Sequence, residues 1–284
     1  MPIIFGRLHD ITSDNVYRLN KWSKDVTFWR DNFVAMSKWV KRYESVGASV
    51  LNIPNLSRPS APDTITANGD VVDTSLSVET SVTLNLDTRV GYKLNLPDDL
   101  DLQSAYDLAS EYKKSYGMRL GESVESNLLG LQSGLSQTVG DPVADISLPI
   151  ILQAWKFLSK ANAPMEDRHL MIIPGQYEVL LDTDKITKVD SVAYPVNESP
   201  IVKGEIGQIF GFRCASSNLI AAATEGGFGN IAFQREAFVL GILRDVKVEE
   251  FARTQFSRSI GLSMYYGYTE LRDNHGVRIL SRDR

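Results

Sequence analysis

The side chains that carry most enzyme chemistry are scarce in this sequence. It has three histidines, His9, His169 and His275, and one cysteine, Cys214. The histidines fall in an N-terminal segment, at a strand start and in a turn, and no two stand at the spacing that holds a metal ion. A thiol or hydroxyl nucleophile needs a histidine partner. No Gly-x-Ser-x-Gly elbow occurs, and Cys214 lies inside the apolar run Ile209-Phe210-Gly211-Phe212-Arg213-Cys214, which reads as a strand. Free cysteine behaves as a small hydrophobe, so a buried structural thiol is expected. The cluster Glu225-Gly226-Gly227-Phe228-Gly229-Asn230 leads into the strand-like Ile231-Ala232-Phe233. A phosphate-binding loop would instead follow a strand and open a helix, so this one reads as a turn. The acidic pairs Asp98-Asp99 and Glu249-Glu250 read as a helix start and a charged edge. No catalytic, cofactor-binding or metal-binding residue is assigned, and no enzyme is expected.

Composition agrees with that emptiness. Of 284 residues 43% are hydrophobic and 23% charged, enough to bury a sizeable core. Lys plus Arg total 30 against 35 Asp plus Glu, a formal charge of -5, so no overall basic excess announces phosphate neutralisation. Positive charge does gather near the N-terminus, in Arg7, Arg18, Lys21, Lys24, Arg30, Lys38, Lys41 and Arg42, between Trp22, Trp29 and Trp39. A solvated face of an amphipathic helix is the simpler reading, and a surface touching nucleic acid the sharper one. Met1 to Arg7 carry no secretory pattern and no apolar run reaches membrane-spanning length, so the protein is expected to stay in a cytoplasm and off membranes.

The elements that would position any site follow from periodicity. Leu19, Trp22, Val26, Trp29, Phe33, Met36, Val40 and Tyr43 alternate spacings of three and four, predicting a helix over 13–45, roughly 45 to 50 Å long at ~1.5 Å per residue. It could pack on its own domain or lean on a neighbour. Leu76, Val78, Val82, Leu84 and Leu86, then Val90, Tyr92, Leu94 and Leu96, keep period two around a turn at Asp87-Thr88-Arg89. They predict a hairpin of two half-buried strands, marginal unless another surface covers it. From Asp98 or Asp101 to Leu135 a second long helix is expected, weakened by Gly117, Gly121, Gly130 and Gly134. A helix over 147–160, a buried strand Leu170-Met171-Ile172-Ile173 and a short helix from Gln176 to Leu181 suggest an α/β lobe. Phe256, Ile260, Leu262, Met264, Tyr266 and Tyr268 predict an unusually long strand, with a turn at Asp273 to Gly276 and a return strand through Val277 and Ile279.

This order of elements resembles the tailed-phage major capsid proteins with the Hong Kong-phage capsid fold. The motifs that carry the resemblance are Asn162-Ala163-Pro164 after a helix, Arg168 with Pro174, Gly204, Gly207, Gly211 and Phe212 with Ser217-Asn218, Phe233 in Ala232-Phe233-Gln234-Arg235, Tyr266-Gly267, and Gly276-Val277. The likeness spans roughly 47–280. It implies an α+β fold with an N-terminal arm at 1–46 and an extended β-hairpin loop at 47–97. A peripheral domain of spine helix and long strands would occupy 98–144 and 226–284, and an α/β axial domain 145–225. Leu84, Leu86, Asp87, Arg89 and Tyr92 are the residues expected to meet an adjacent copy.

The function implied is a coat protein that self-assembles as pentamers and hexamers into an icosahedral phage head, non-enzymatic and without cofactor. Its expected partners are copies of itself, a separate scaffolding protein, a portal, decoration proteins, and packaged double-stranded DNA held non-specifically on the inner surface. Assembly is expected in the host cytoplasm, ending in the virion, without covalent crosslinks between subunits. A scaffold on another chain is expected because only about 47 residues precede the loop. Two other readings stay open: the shell of a cargo-enclosing nanocompartment, and a soluble enzyme with an α/β substrate lobe.

Overall fold

Two 14-residue strands and a 23-residue helix set the frame. The computed structural model describes residues 24–28, 30, 35–44, 47–55, 80–97, 108–182, 208–251 and 257–283. Gly204, Gly207, His9, Leu19, Trp22, Trp29 and Phe33 lie outside the described residues.

Strands β1 (Lys41–Glu44), β4 (Thr88–Pro97), β10 (Phe238–Phe251) and β11 (Ser257–Glu270) form a four-stranded sheet in the order β1-β10-β11-β4. At ~3.3 Å per residue the two long strands run about 45 Å. The period-two reading of β11 holds: Ile260, Leu262, Met264 and Tyr266 are buried in one core cluster. That face is covered by helix α2 (Leu108–Gly130), through Leu120, Val124, Leu128 and Leu129. Gly117 and Gly121 do not interrupt α2; it ends at Gly130 and tightens into a 3₁₀ turn, Leu131–Gly134.

The other sheet has six strands in the order β5-β12-β9-β6-β8-β7, namely Thr138–Gly140, Gly276–Ser281, Phe228–Gln234, Arg168–Ile172, Phe212–Ser216 and Gln208–Ile209. Its central strand β6 is buried on both faces, which explains an apolar run without alternation. Leu170 and Ile172 face helices α3 (Leu148–Lys160) and α4 (Pro174–Leu181), while Met171 joins the α2 core.

Three expectations are corrected. The helix over 13–45 does not run through: residues 24–28 and 30 are helical and α1 is only Met36–Trp39. Val40 is then extended, and Lys41–Glu44 gains a parallel ladder with β10 that a helix would forgo. The hairpin also has a different partner. Strand β3 (Thr80–Asn85) pairs with β2 (Val50–Asn55), and β4 pairs with β11. Alternation fixes which face of a strand is apolar but not which strand lies beside it. Likewise β12 does not return along β11 but crosses to pair with β9 and β5. Strands β9 and β12 both lie in the six-stranded sheet.

Candidate functional site

The features that could do something here are joints. The first is where the β2–β3 hairpin sits on the long strands. Gly241 of β10 stands opposite Gly267 of β11, two side-chain-free positions in register. Onto that saddle press Leu84 and Leu86, both buried, with Ile53, Val239 and Leu271 around them. A Cβ on Gly267 would lie 2.0 Å from the Asn85 carbonyl oxygen, so only glycine lets the hairpin backbone approach this closely. The exposed end of the joint borders a polar cleft of about 250 Å³ lined by Thr83, Asn85, Asp87, Thr88, Tyr268 and Thr269.

On the opposite face Tyr266 is fully buried, and its hydroxyl accepts the Asn127 amide at 2.7 Å and meets the Ser123 hydroxyl at 3.3 Å, tying β11 to α2. Tyr266→Phe leaves Asn127 without this partner and is expected to cost about 1–2 kcal/mol, read as a lower urea midpoint at unchanged slope.

The second joint is the turn after α3. Arg168 is 2% exposed, and its guanidinium donates to the carbonyls of Pro164 (2.9 Å) and Ala163 (2.8 Å) and to the Ser159 hydroxyl (3.2 Å). Asn162 reverses the chain there with φ 56. Pro174 opens α4 at its first turn, where a missing N–H costs nothing.

The third joint is the crossing between the sheets. Asp273 accepts the Ser136 N–H at 2.8 Å and the Ser136 hydroxyl, and Ala237 holds Leu271 and Arg272 through its carbonyl. Burial, then the neighbouring Asp273, pushes the Glu270 carboxyl up to about 7. The folded chain keeps a proton that the unfolded chain has released between pH 4.5 and about 7, so stability from this group falls across that interval. Glu270→Gln is expected to stabilise the chain at pH 8 and to change little at pH 4, measured by urea unfolding at both.

Buried polar side chains clamp β12. Asn230 accepts the Ile173 N–H at 2.8 Å and donates to Ile279 and Ser281. Arg278 donates to Gln132 at 2.8 Å and to both Glu225 oxygens, which holds Glu225 below the usual carboxylate range. Gln176 accepts the Ile146 N–H at 2.7 Å. Sequence reading passed over all of these. A polar residue inside an apolar strand, as in Gly229-Asn230-Ile231, was the one available signal, because such a residue needs dedicated partners.

No family model and no curated protein matches the sequence. Solved structures do match. A structure of Mycobacterium phage Che8 is 20% identical, covers 87% of this chain and 90% of its own, and superposes with a TM-score of 0.69. A capsid structure of the cyanophage P-SCSP1u is 14% identical over 88% of this chain and 89% of its own, TM-score 0.68. A virus-like particle from Pyrococcus furiosus is 14% identical over 92% and 99%, TM-score 0.58. The chain has the Hong Kong-phage capsid fold.

Within that fold the motif residues take structural places. Phe212 and Phe233 are fully buried, Asn218 and Pro164 are exposed, and Gly211 (φ 82) follows Phe210 (φ 49) in the two-residue turn between β7 and β8. Two left-handed residues in succession match the twist of such a hairpin. Cys214 is half-buried on β8, its thiol pushed up to about 12 by burial. Leu84 and Leu86 are buried within their own chain. Arg89 and Asp87 are exposed, Arg89 lies over the Tyr265 ring at 5.1 Å, and Tyr92 packs on Tyr116 at 5.1 Å. Arg30, counted among the N-terminal cations, is buried and paired with Asp245, away from any solvated face. Among the described residues no group of three or more His, Cys, Asp or Glu could hold a metal ion, and no helix is long and apolar enough to cross a membrane.

Proposed function

We propose that the chain is the major capsid protein of a tailed phage, assembling in many copies into a closed icosahedral shell around double-stranded DNA. The observation that carries this reading is the superposition of most of the chain on phage structures, over 88% of its length on the cyanophage capsid and 87% on the Mycobacterium phage structure described above. A structural, non-enzymatic role accords with a molecule whose buried polar groups serve joints between elements. In this reading the four-stranded sheet with α2 is the peripheral domain and the six-stranded sheet with α3 and α4 the axial domain. The β2–β3 hairpin is the base of the extended loop that reaches across an adjacent copy. Head-to-tail contacts around fivefold and sixfold axes close the shell, with Asp87, Arg89 and Tyr92 near the contact. Scaffold, portal and decoration proteins are the further partners, and assembly takes place in the host cytoplasm.

A second reading is kept by the Pyrococcus furiosus virus-like particle, whose likeness extends over 92% of this chain at a lower TM-score. Electron microscopy of the purified chain, with and without a candidate scaffold, tests both. Closed shells or fivefold and sixfold rings are expected; a monodisperse monomer under both conditions overturns the shell. Nuclease-protected DNA in particles from infected or lysogenic cells supports the phage head, and a protein cargo without DNA supports the compartment.

A further inference from the structure

Residues 35–44 cross the boundary between the two sheets. At their start the Glu125 carboxylate of α2, 3% exposed, accepts the Ala35 N–H at 2.8 Å, and at their end β1 runs parallel to β10. Between these attachments the Trp39 indole lies flat on the His169 imidazole of β6, ring centres 4.5 Å apart and planes within 13°. The ring of Phe233 sits near the imidazole as well, at 5.6 Å. His169 is 2% exposed, and its Nδ1 is buried with no hydrogen-bond partner among the described residues.

A neutral imidazole tolerates that setting, because an unpaired ring nitrogen is a modest cost. A protonated one does not. It would bury a positive charge between aromatic rings and place an N–H donor where no acceptor stands. The charges facing it are mixed: Asp167 favours the protonated ring, while Arg213, its cross-strand neighbour on β8, and Arg235, paired with Asp167 at 3.8 Å, oppose it, so burial is the main cost.

We propose that residues 35–44 are an acid-releasable strap and that His169, lidded by Trp39, is the group that releases it. Burial pulls His169 down from 6.5 to about 4. The seated strap holds His169 near 4, and lifting Trp39 from the ring raises it back toward 6.5, so the seat weakens as pH falls through that interval and is unaffected above it. Glu125 acts in the opposite sense, since burial raises it and favours the protonated form in the seated state, with Lys38 opposing. Release therefore depends on the imidazole. Its consequence is local: removing β1 uncovers an edge of β10, whose unpaired N–H and C=O groups can accept a strand from another chain. The strap stands on this chain's own packing, whether or not copies form shells.

Hydroxyl-radical footprinting of the full chain, read by mass spectrometry at Trp39 and Trp155, tests this at any assembly size. Between pH 7.5 and 4.5 the labelling of Trp39 is expected to rise at least fivefold while Trp155 on α3 stays level. His169→Phe, which keeps a stacked ring that cannot ionise, is expected to hold Trp39 labelling flat, and His169→Gln serves the same purpose if the first variant does not fold. Constant Trp39 labelling in the parent chain, a parallel rise at Trp155, or the same rise in the variants overturns the proposal.

Discussion

Gly267→Ala is expected to unseat the β2–β3 hairpin and destabilise the chain by about 3 kcal/mol or more, at the upper end of what overpacking a core costs. The added methyl would stand 2.0 Å from the Asn85 carbonyl oxygen, 2.8 Å from its carbon and 2.9 Å from the Leu86 Cα, all backbone atoms that cannot swing aside. Moving the strand end instead exposes Leu84 and Leu86, each worth about 1.5–3 kcal/mol of burial. Gly47→Ala is the control: nothing lies within 4 Å of its Cβ position, and a change within about 0.5 kcal/mol is expected. Urea midpoints give the stability difference, and sedimentation of the assembled fraction gives the effect on shells. Equal midpoints for the two variants would show that the saddle at Gly241 and Gly267 is not needed for seating.

Arg168→Ala is expected to cost about 3 kcal/mol, because hydrogen bonds to a charged donor contribute about 1.5–3 kcal/mol each, less the cost of burying the guanidinium. Its three acceptors, the Ala163 and Pro164 carbonyls and the Ser159 hydroxyl, belong to the end of α3 and the turn that reverses the chain into β6. Arg168→Lys is expected to recover less than half, since one ammonium on a flexible stem cannot reach three oxygens as a planar fork does. Arg168→Met separates packing from hydrogen bonding: it restores volume but leaves the carbonyls unserved, and should recover under about 1 kcal/mol. Faster amide exchange in the 159–168 turn of the Ala variant, with β10 and β11 unchanged, would locate the loss. Full recovery by Met would mean that Arg168 acts by filling space.

Both positions were found in the sequence through the family motif, which marked Arg168 and Gly267 without saying what they do. Arg168 grips carbonyls in the turn of 163–164, and that became visible only when the turn closed upon it. Gly267 is a glycine because of Asn85, a residue far away in the chain. The buried clamps at Glu125, Asn230 and Arg278 were illegible for the same reason, since their partners come from other elements.

The sequence by itself determined the elements whose signal is local. The spacing around Leu120, Val124 and Leu128 placed α2, alternation from Ile260 to Tyr266 placed β11, and the unbroken run at 170–173 placed a doubly buried strand. These follow from periods of 3.6 and two, which need no knowledge of a partner. Tertiary structure decided the pairings. It sent β3 to β2 and β4 to β11, turned Lys41–Glu44 from a helical spacing into an edge strand on β10, and carried β12 across to the other sheet. The physical reason is that a strand's apolar face is written in its own residues, whereas its hydrogen-bonding edge is the same for every sequence and is satisfied by whichever neighbour the packing of the cores brings alongside.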